Sequence, residues 1–180
     1  TELWEHLRPA GGLRTSVLHR LRQWPRAMVG MMVAHLGVAV FIFGVTMVKS
    51  FEVERDVKMD LGDTTEVGGY TFTFRGVREL TGANYTAAQG LVVVTRNGRE
   101  VAQMRPEKRV YRVRTMPMTE AGISVNWNRD LFIAMGDDLG ANAWSVRVQY
   151  KPMVRFIWFG ALVMAIGGFI AITDRRYRTR

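Results

Sequence analysis

Two stretches without charged residues decide the fold of this chain: residues 27–48 read AMVGMMVAHLGVAVFIFGVTMV, and residues 156–172 read FIWFGALVMAIGGFIAI. A helix needs about 20 predominantly apolar residues to cross a hydrocarbon core of roughly 30 Å. The first stretch has that length. Met153, Val154 and the aliphatic stem of Arg155 extend the second. We therefore predict two transmembrane helices, at 27–48 and 153–173.

The formal net charge of +9 is concentrated outside these helices. Residues 1–26 and 174–180 are rich in arginine, whereas residues 49–152 are nearly balanced in charge. Short basic flanks stay in the cytoplasm, and a long loop is translocated largely regardless of its charge. We expect a basic, amphipathic cytoplasmic segment at 1–26, an extracytoplasmic domain at 49–152 and a basic cytoplasmic tail at 174–180. The basic residues form no aromatic-interleaved patch, so we expect no nucleic-acid partner.

The segment 49–152 consists of short runs that alternate apolar and polar residues, a pattern typical of β-strands. The Asn97-Gly98 pair between two such runs is a strong hairpin signal. We expect six or seven strands closed into an antiparallel β-barrel or a β-sandwich, and the pattern leaves both open. The predicted strands are 71–74, 91–95, 99–104, 110–114, 131–135 and 144–150. Three further segments are interpreted as a strand end at Gly136–Asp138, a solvated loop at 105–109 and a turn with exposed methionines at 116–120.

His35 is the strongest candidate for a functional residue in this sequence. It lies nine residues inside the first apolar stretch, or ~13 Å at 1.5 Å per residue, and therefore near the bilayer midplane. A polar ring at that depth is costly unless it is bonded, which makes it a candidate functional residue. The alternatives are a ligand of a metal or haem iron, a neutral ring hydrogen-bonded to a neighbouring helix, and a proton relay. His6 and His19 lie in the basic N-terminal segment, where exposed histidines are the usual case.

Small residues recur along both apolar stretches and allow close approach of helix backbones in lipid. We interpret them as packing of the two helices on each other, and glycine on more than one side of each helix also suggests further helical neighbours. The residues are Ala27, Gly30, Ala34, Gly37 and Gly44 in the first stretch, and Ala161, Ala165, Gly168 and Ala171, with Gly160 and Gly167 beside them, in the second.

Several classes of chemistry are excluded by composition. The chain has no cysteine, so it neither exchanges thiols nor holds a cysteine-ligated metal. The sequence also contains no catalytic triad, no carboxylate pair at informative spacing and no glycine-rich phosphate loop.

An ordered set of phrases resembles the C-terminal region of the CcmF family, the haem lyases of cytochrome c maturation. The phrases are MVAHLGVAVFIFGVT (32–46), EVGGYTFTF (66–74), PEKRVY (106–111), MPMTEAGI (116–123), DLFIAMG (130–136) and IWFGALVMAIGGFIAITDRRYR (157–178). The resemblance runs from about residue 26 to the end of the chain.

This resemblance implies a multi-pass protein of the bacterial inner membrane with a periplasmic β-domain. In the family, the histidine of the AHLG phrase is an axial ligand of a haem b, a role that would fall on His35. The implied partners are a periplasmic haem chaperone, apocytochrome c with its thioreductase, and the lipid bilayer. The family's tryptophan-rich motif and its other histidines are absent, so the second haem ligand and the lyase chemistry are expected in further helices, from a missing N-terminal part or a separate chain. The alternative function is a non-catalytic assembly or docking subunit whose β-domain binds a partner protein.

Overall fold

The computed structural model describes residues 24–113 and 116–174. Helix α1 (Arg26–Phe51) is followed by ten β-strands and by helix α2 (Val154–Ile172). The predicted amphipathic segment up to residue 23, with His6 and His19, and the tail from residue 175 lie outside the described residues.

All ten strands pair antiparallel and form two sheets. The four-stranded sheet has the order β1-β10-β9-β8, and the six-stranded sheet has the order β2-β3-β4-β6-β7, with β5 also paired to β4. The strands are β1 (Val53–Met59), β2 (Thr64–Val67), β3 (Tyr70–Thr81), β4 (Tyr85–Arg96), β5 (Arg99–Met104), β6 (Glu107–Tyr111), β7 (Pro117–Glu120), β8 (Gly122–Val125), β9 (Arg129–Gly140) and β10 (Ala143–Pro152).

Alternation along the strands places one apolar face of each sheet in a common core, as a β-sandwich requires. Phe72 and Phe74 of β3 are fully buried, while Thr71 and Thr73, which alternate with them, point away from the core. The core cluster comprises Met59, Val67, Tyr70, Phe72, Phe74, Val92, Val94, Met104, Leu131, Ile133, Val146 and Val148. The predicted class, two apolar helices flanking an antiparallel β-domain, is confirmed, and the sandwich is the correct one of its two variants.

Two hairpin turns show why one strand end could be predicted from the sequence and another could not. Asn97 and Gly98 connect β4 to β5 with φ of 52° and 73°, the left-handed pair that an Asn-Gly turn favours. Ala141 and Asn142 connect β9 to β10 with φ of 52° and 64°. Alanine rarely occupies that conformation, so this turn carries a weak sequence signal. The predicted strand end at Gly136–Asp138 is wrong, because β9 continues to Gly140.

The predicted number of strands is also wrong, because several strands are polar edge or near-edge strands. Strand β1 reads VERDVKM and buries only Met59, and charged edge strands are a common defence against edge-to-edge association. The predicted loop at 105–109 enters strand β6 at Glu107, and Pro106 before it is fully buried. The predicted turn at 116–120 contains strand β7, although Met116 and Met118 are exposed as expected.

The described residues divide into two compact units. The first unit contains residues 24–43 and 156–174 and is a pair of helical segments. The second contains residues 44–155 and includes the whole β-sandwich.

Candidate functional site

The helical unit is a close antiparallel pair in contact through glycines. A Cβ added to Gly37 would lie 2.5 Å from the Met164 backbone nitrogen and 2.8 Å from the Gly160 carbonyl oxygen. A Cβ on Gly30 would lie 2.6 Å from the Gly167 carbonyl oxygen. The glycines repeat every seven residues on both helices, so the two backbones touch along one face.

Helix α2 uses a different stripe for this contact from the one the sequence favoured. Gly160, Met164, Gly167 and Ala171 face α1, whereas a Cβ on Gly168 would meet nothing within 4 Å. Ala165 is exposed as well. The interpretation of the small residues as helix–helix packing is therefore wrong for Ala165 and Gly168. It is correct for the residues in contact: Gly30, Ala34 and Gly37 of α1, and Gly160, Gly167 and Ala171 of α2.

A carboxylate joins the ends of the two helices. Asp174, two residues after the end of α2, is only 6% exposed and accepts a 2.8 Å hydrogen bond from the backbone N–H of Ala27 in the first turn of α1. The first N–H groups of a helix have no intrahelical acceptor and carry partial positive charge. Asp174 therefore caps α1 from the segment that follows α2. No local sequence pattern indicates this role, because the two residues are 147 positions apart.

His35 lies on the opposite side of α1 from the glycine contact. It follows Gly30 by five residues, or about 140° around a helix that turns roughly 100° per residue. The His35 ring is exposed, and apolar side chains surround it along the same side: Met28, Met31 and Ile42 are 43%, 52% and 57% exposed. The helix pair therefore leaves the imidazole on an uncovered apolar surface.

The hydrogen bonding of the ring defines its tautomer. Nδ1 of His35 lies 2.8 Å from the carbonyl oxygen of Met31, one turn earlier in the same helix. A carbonyl oxygen only accepts, so Nδ1 donates and the neutral ring carries its lone pair on Nε2. The described residues offer Nε2 no hydrogen-bond donor. Within the described residues, the hydrogen-bond partner of the imidazole is thus a carbonyl oxygen of its own helix.

This arrangement suits metal ligation. Ligating histidines commonly donate their second ring N–H to a backbone carbonyl, which fixes the tautomer and the orientation of the ring. His35 has that outer-shell bond, and its Nε2 is available. Among the described residues no group of three or more His, Asp or Glu side chains could hold a metal ion, and His35 is the only histidine in that part of the chain.

The β-sandwich carries ion pairs but no comparable histidine. Glu107 accepts a 2.8 Å hydrogen bond from Arg109 Nε, and this bond holds the pKa of Glu107 below its ordinary value of 4.5. Arg147 donates to both carboxylate oxygens of Asp56, at 2.7 and 2.8 Å, and lowers the pKa of Asp56 in the same way. Asp56 and Arg147 lie opposite each other on the neighbouring strands β1 and β10, whereas Glu107 and Arg109 belong to the same strand, β6.

Helices α1 and α2 have the length and composition of membrane spans. In their most apolar 18-residue windows, 17% and 11% of residues are buried. A core helix of a water-soluble protein would be mostly buried, so this exposed apolar surface is what a lipid environment requires.

Comparison with known proteins gives matches over both units. Residues 50–152 match the family model described as the CcmF C-terminal beta-sandwich. The cytochrome c-type biogenesis protein CcmF of Pseudomonas aeruginosa is 47% identical over 164 residues, which cover 91% of this chain and 25% of that protein. The protein of the same name from Escherichia coli is 46% identical over 84% of this chain and 23% of its own length.

A solved structure has the same fold. The chain named cytochrome c heme lyase CcmF superposes with a TM-score of 0.70 at 23% sequence identity, over 88% of this chain and 28% of that one. At that identity the likeness concerns the fold alone. This chain spans about a quarter of the length of the curated relatives it matches.

Proposed function

This chain belongs to the CcmF family of cytochrome c-type biogenesis proteins, and we propose that it forms the C-terminal part of a haem lyase in which His35 is an axial ligand of a haem b. The observation that carries the proposal is the hydrogen bond from His35 Nδ1 to the Met31 carbonyl oxygen. It leaves Nε2 as the lone-pair nitrogen on the uncovered side of α1.

The residues present fit one side of such a haem. Imidazole is a common axial ligand of haem iron, and ligation would compensate for the cost of placing a polar ring in lipid. The exposed Met28, Met31 and Ile42 beside it offer apolar contacts suited to a porphyrin face. His35 would bind and orient the haem, while these side chains would exclude water from the iron ligand.

When bound, a haem b supplies one-electron transfer, with a reduction potential set by its axial ligands and its surroundings. The chain's own contribution is the position of a neutral imidazole. Because Nδ1–H is directed to a carbonyl oxygen, the tautomer and the rotation of the ring are set before any ligand arrives.

The second ligand and the remaining cover of the site would come from other helices, either in an N-terminal part of the same lyase or in a separate chain. We propose that the assembled protein lies in the bacterial inner membrane, with both ends of this chain cytoplasmic and the β-sandwich periplasmic. A periplasmic haem chaperone and apocytochrome c with its thioreductase would then dock on the periplasmic side. The lyase would attach haem vinyl groups to apocytochrome cysteines.

A second candidate function is a non-catalytic assembly subunit whose β-sandwich binds a partner protein. It is favoured by exposed apolar residues on β7 and β8, where Met118 and Ile123 are 50% and 53% exposed. Methionine-rich surfaces adapt well to varied partners. In this case His35 would be a packed residue satisfied by its own helix.

The absorption spectrum of the complex purified through a tag on this chain separates the two functions. A His35→Ala variant should lose or strongly shift the b-type haem signal in the reduced-minus-oxidised difference spectrum. Leu36→Ala is the matched control, because Leu36 is the next residue and is 61% exposed. An unchanged b-type signal in His35→Ala, at equal protein yield, would remove the ligand assignment and favour the assembly subunit.

A further inference from the structure

The β-sandwich contains a cavity of about 410 Å³ that no part of the proposed function uses. Arg75, Arg78 and Arg105 line it, and none of its lining residues is acidic. Its volume lies within the range of pockets that hold small molecules, roughly 300–1,000 Å³.

A β-bulge builds one wall of this cavity. The pairing of β3 with β4 shifts register between Phe74 and Val77, and Gly76 within that shift has φ of 102°. Such a bulge bends its strand and redirects the side chains beside it. Arg75 and Arg78 flank the bulge and both line the cavity. A Cβ at Gly76 would lie 3.0 Å from Leu61 Cδ1 on the facing wall, so the position leaves little room for a side chain.

The positive charge of the cavity is only partly balanced by the described residues. Arg78 donates through Nε and Nη2 to Gln89 Oε1, at 2.8 and 2.6 Å. Gln89 in turn donates to Glu107 Oε1, and the charge of Arg78 helps to lower the pKa of Glu107, so this carboxylate partly balances Arg78. Arg75 and Arg105 are exposed and form no ion pair with any described residue. The acidic groups nearest in sequence to Leu61 are engaged elsewhere: Asp60 pairs with Lys58 at 3.6 Å, and Asp63 Oδ2 accepts from the Asp60 backbone N–H.

The remaining walls are largely apolar. Leu61, Val77, Leu91 and the Trp144 side chain line the cavity alongside the arginines. Indole offers a flat surface on which a planar group can stack. Guanidinium forks match carboxylates in a bidentate geometry, which a lysine side chain does not provide.

We propose that this cavity binds a small organic anion that carries two carboxylates on a flat apolar body. The arginines bind the carboxylates, and Trp144 with the aliphatic side chains contacts the body. Inorganic phosphate supplies charge but leaves the apolar wall uncovered, so it binds more weakly. The site lies wholly within the β-sandwich unit and does not depend on His35 or on haem.

Calorimetric titration of the full chain in detergent with phthalate, a planar aromatic dicarboxylate, tests the proposal. We expect saturable one-to-one binding, with a Kd at least about tenfold lower than that of inorganic phosphate. Arg75→Gln and Arg105→Gln should each weaken phthalate binding about tenfold, the usual effect of losing one charge-assisted contact. Arg99→Gln is the matched control, because Arg99 is an exposed arginine on β5 outside the cavity, and it should leave the Kd unchanged.

Four results would overturn the inference. They are the absence of saturable phthalate binding at millimolar concentration, an equal loss of affinity in the Arg99→Gln control, and phosphate binding as tight as phthalate binding. The fourth is tighter binding of an acidic peptide, with phthalate displaced, because the site would then be a protein-docking surface. Trp144→Phe adds a readout that charge alone would not move: phthalate affinity should fall while phosphate affinity stays the same.

Discussion

The contact between α1 and α2 makes a quantitative prediction for two adjacent glycines, Gly167 and Gly168. A Cβ on Gly167 would lie 2.7 Å from the Gly30 carbonyl oxygen and closer still to the Ala34 backbone nitrogen. Ordinary contacts of this kind are about 3.5 Å or longer, so Gly167→Ala forces the helices apart by roughly 1 Å. Overpacking of this size typically costs about 1–3 kcal/mol.

Gly168→Ala introduces the same methyl group one residue later, where it meets nothing within 4 Å. Both variants gain the same helix propensity, up to about 1 kcal/mol relative to glycine. The difference between them therefore isolates the contact and should be about 2 kcal/mol, or roughly 30-fold in the equilibrium between paired and separated helices.

Pulsed electron paramagnetic resonance measures this equilibrium. The chain has no cysteine, so spin labels can be placed on Leu36→Cys and Leu162→Cys, at exposed positions on the two helices. Sodium dodecyl sulfate is added to micelles until the pair separates. Gly167→Ala should separate at lower detergent fraction than the parent, and Gly168→Ala at an equal or higher one. Equal midpoints for the two variants would refute the glycine contact.

Three further predictions concern the core, the helix cap and the acid response. Phe74→Ala should lower the free energy of unfolding of the β-sandwich by about 3–5 kcal/mol because Phe74 is fully buried, as measured by denaturant unfolding; an equal loss in the outward-facing Thr73→Ala would contradict the assigned core. Asp174→Ala should cost about 1 kcal/mol of cap energy, because alanine offers no acceptor to the Ala27 N–H, and should speed hydrogen exchange in the first turn of α1 roughly fivefold, whereas unchanged exchange there would argue against the cap. The pKa of Glu107 is lowered in the folded state. Ionised Glu107 therefore stabilises the folded state above pH 4.5, its ordinary pKa, and this contribution is lost as the pH falls through the folded-state pKa. Unfolding measured from roughly pH 7 to pH 3 should show this loss, and Glu107→Gln should flatten the curve; identical curves would exclude the contribution.

The sequence was sufficient to predict those elements that depend only on neighbouring residues. Two long apolar stretches predicted α1 and α2, and the Asn97-Gly98 pair predicted the turn between β4 and β5. The turn residues Ala141 and Asn142 also have positive φ, but neither is a glycine, so no local motif indicated that β9 extends past Gly136. Strand β1 was missed because its charged residues lie on an edge, where pairing with β10 and the Asp56–Arg147 ion pair stabilise it.

At the candidate site, too, some features depend on neighbouring residues and others on residues distant in sequence. The position of His35 along an apolar helix follows from sequence, and its expected depth near the bilayer midplane was predicted from the rise per residue. The side of α1 on which it lies relative to the helix contact depends on Gly160 and Gly167 of α2, over a hundred residues away. The tautomer depends on a carbonyl oxygen of the backbone, which no residue pattern specifies.

The ligand role of His35 is tested most directly by replacing the side chain and then supplying its ring. In the complex purified through a tag on this chain, His35→Gly should lose its b-type haem absorbance, and added imidazole should restore it while added acetate does not. Imidazole would then occupy the space left beside Met31 and bind the iron in place of the side chain. A b-type spectrum that persists in His35→Gly without imidazole would contradict the assignment of His35 as a haem ligand.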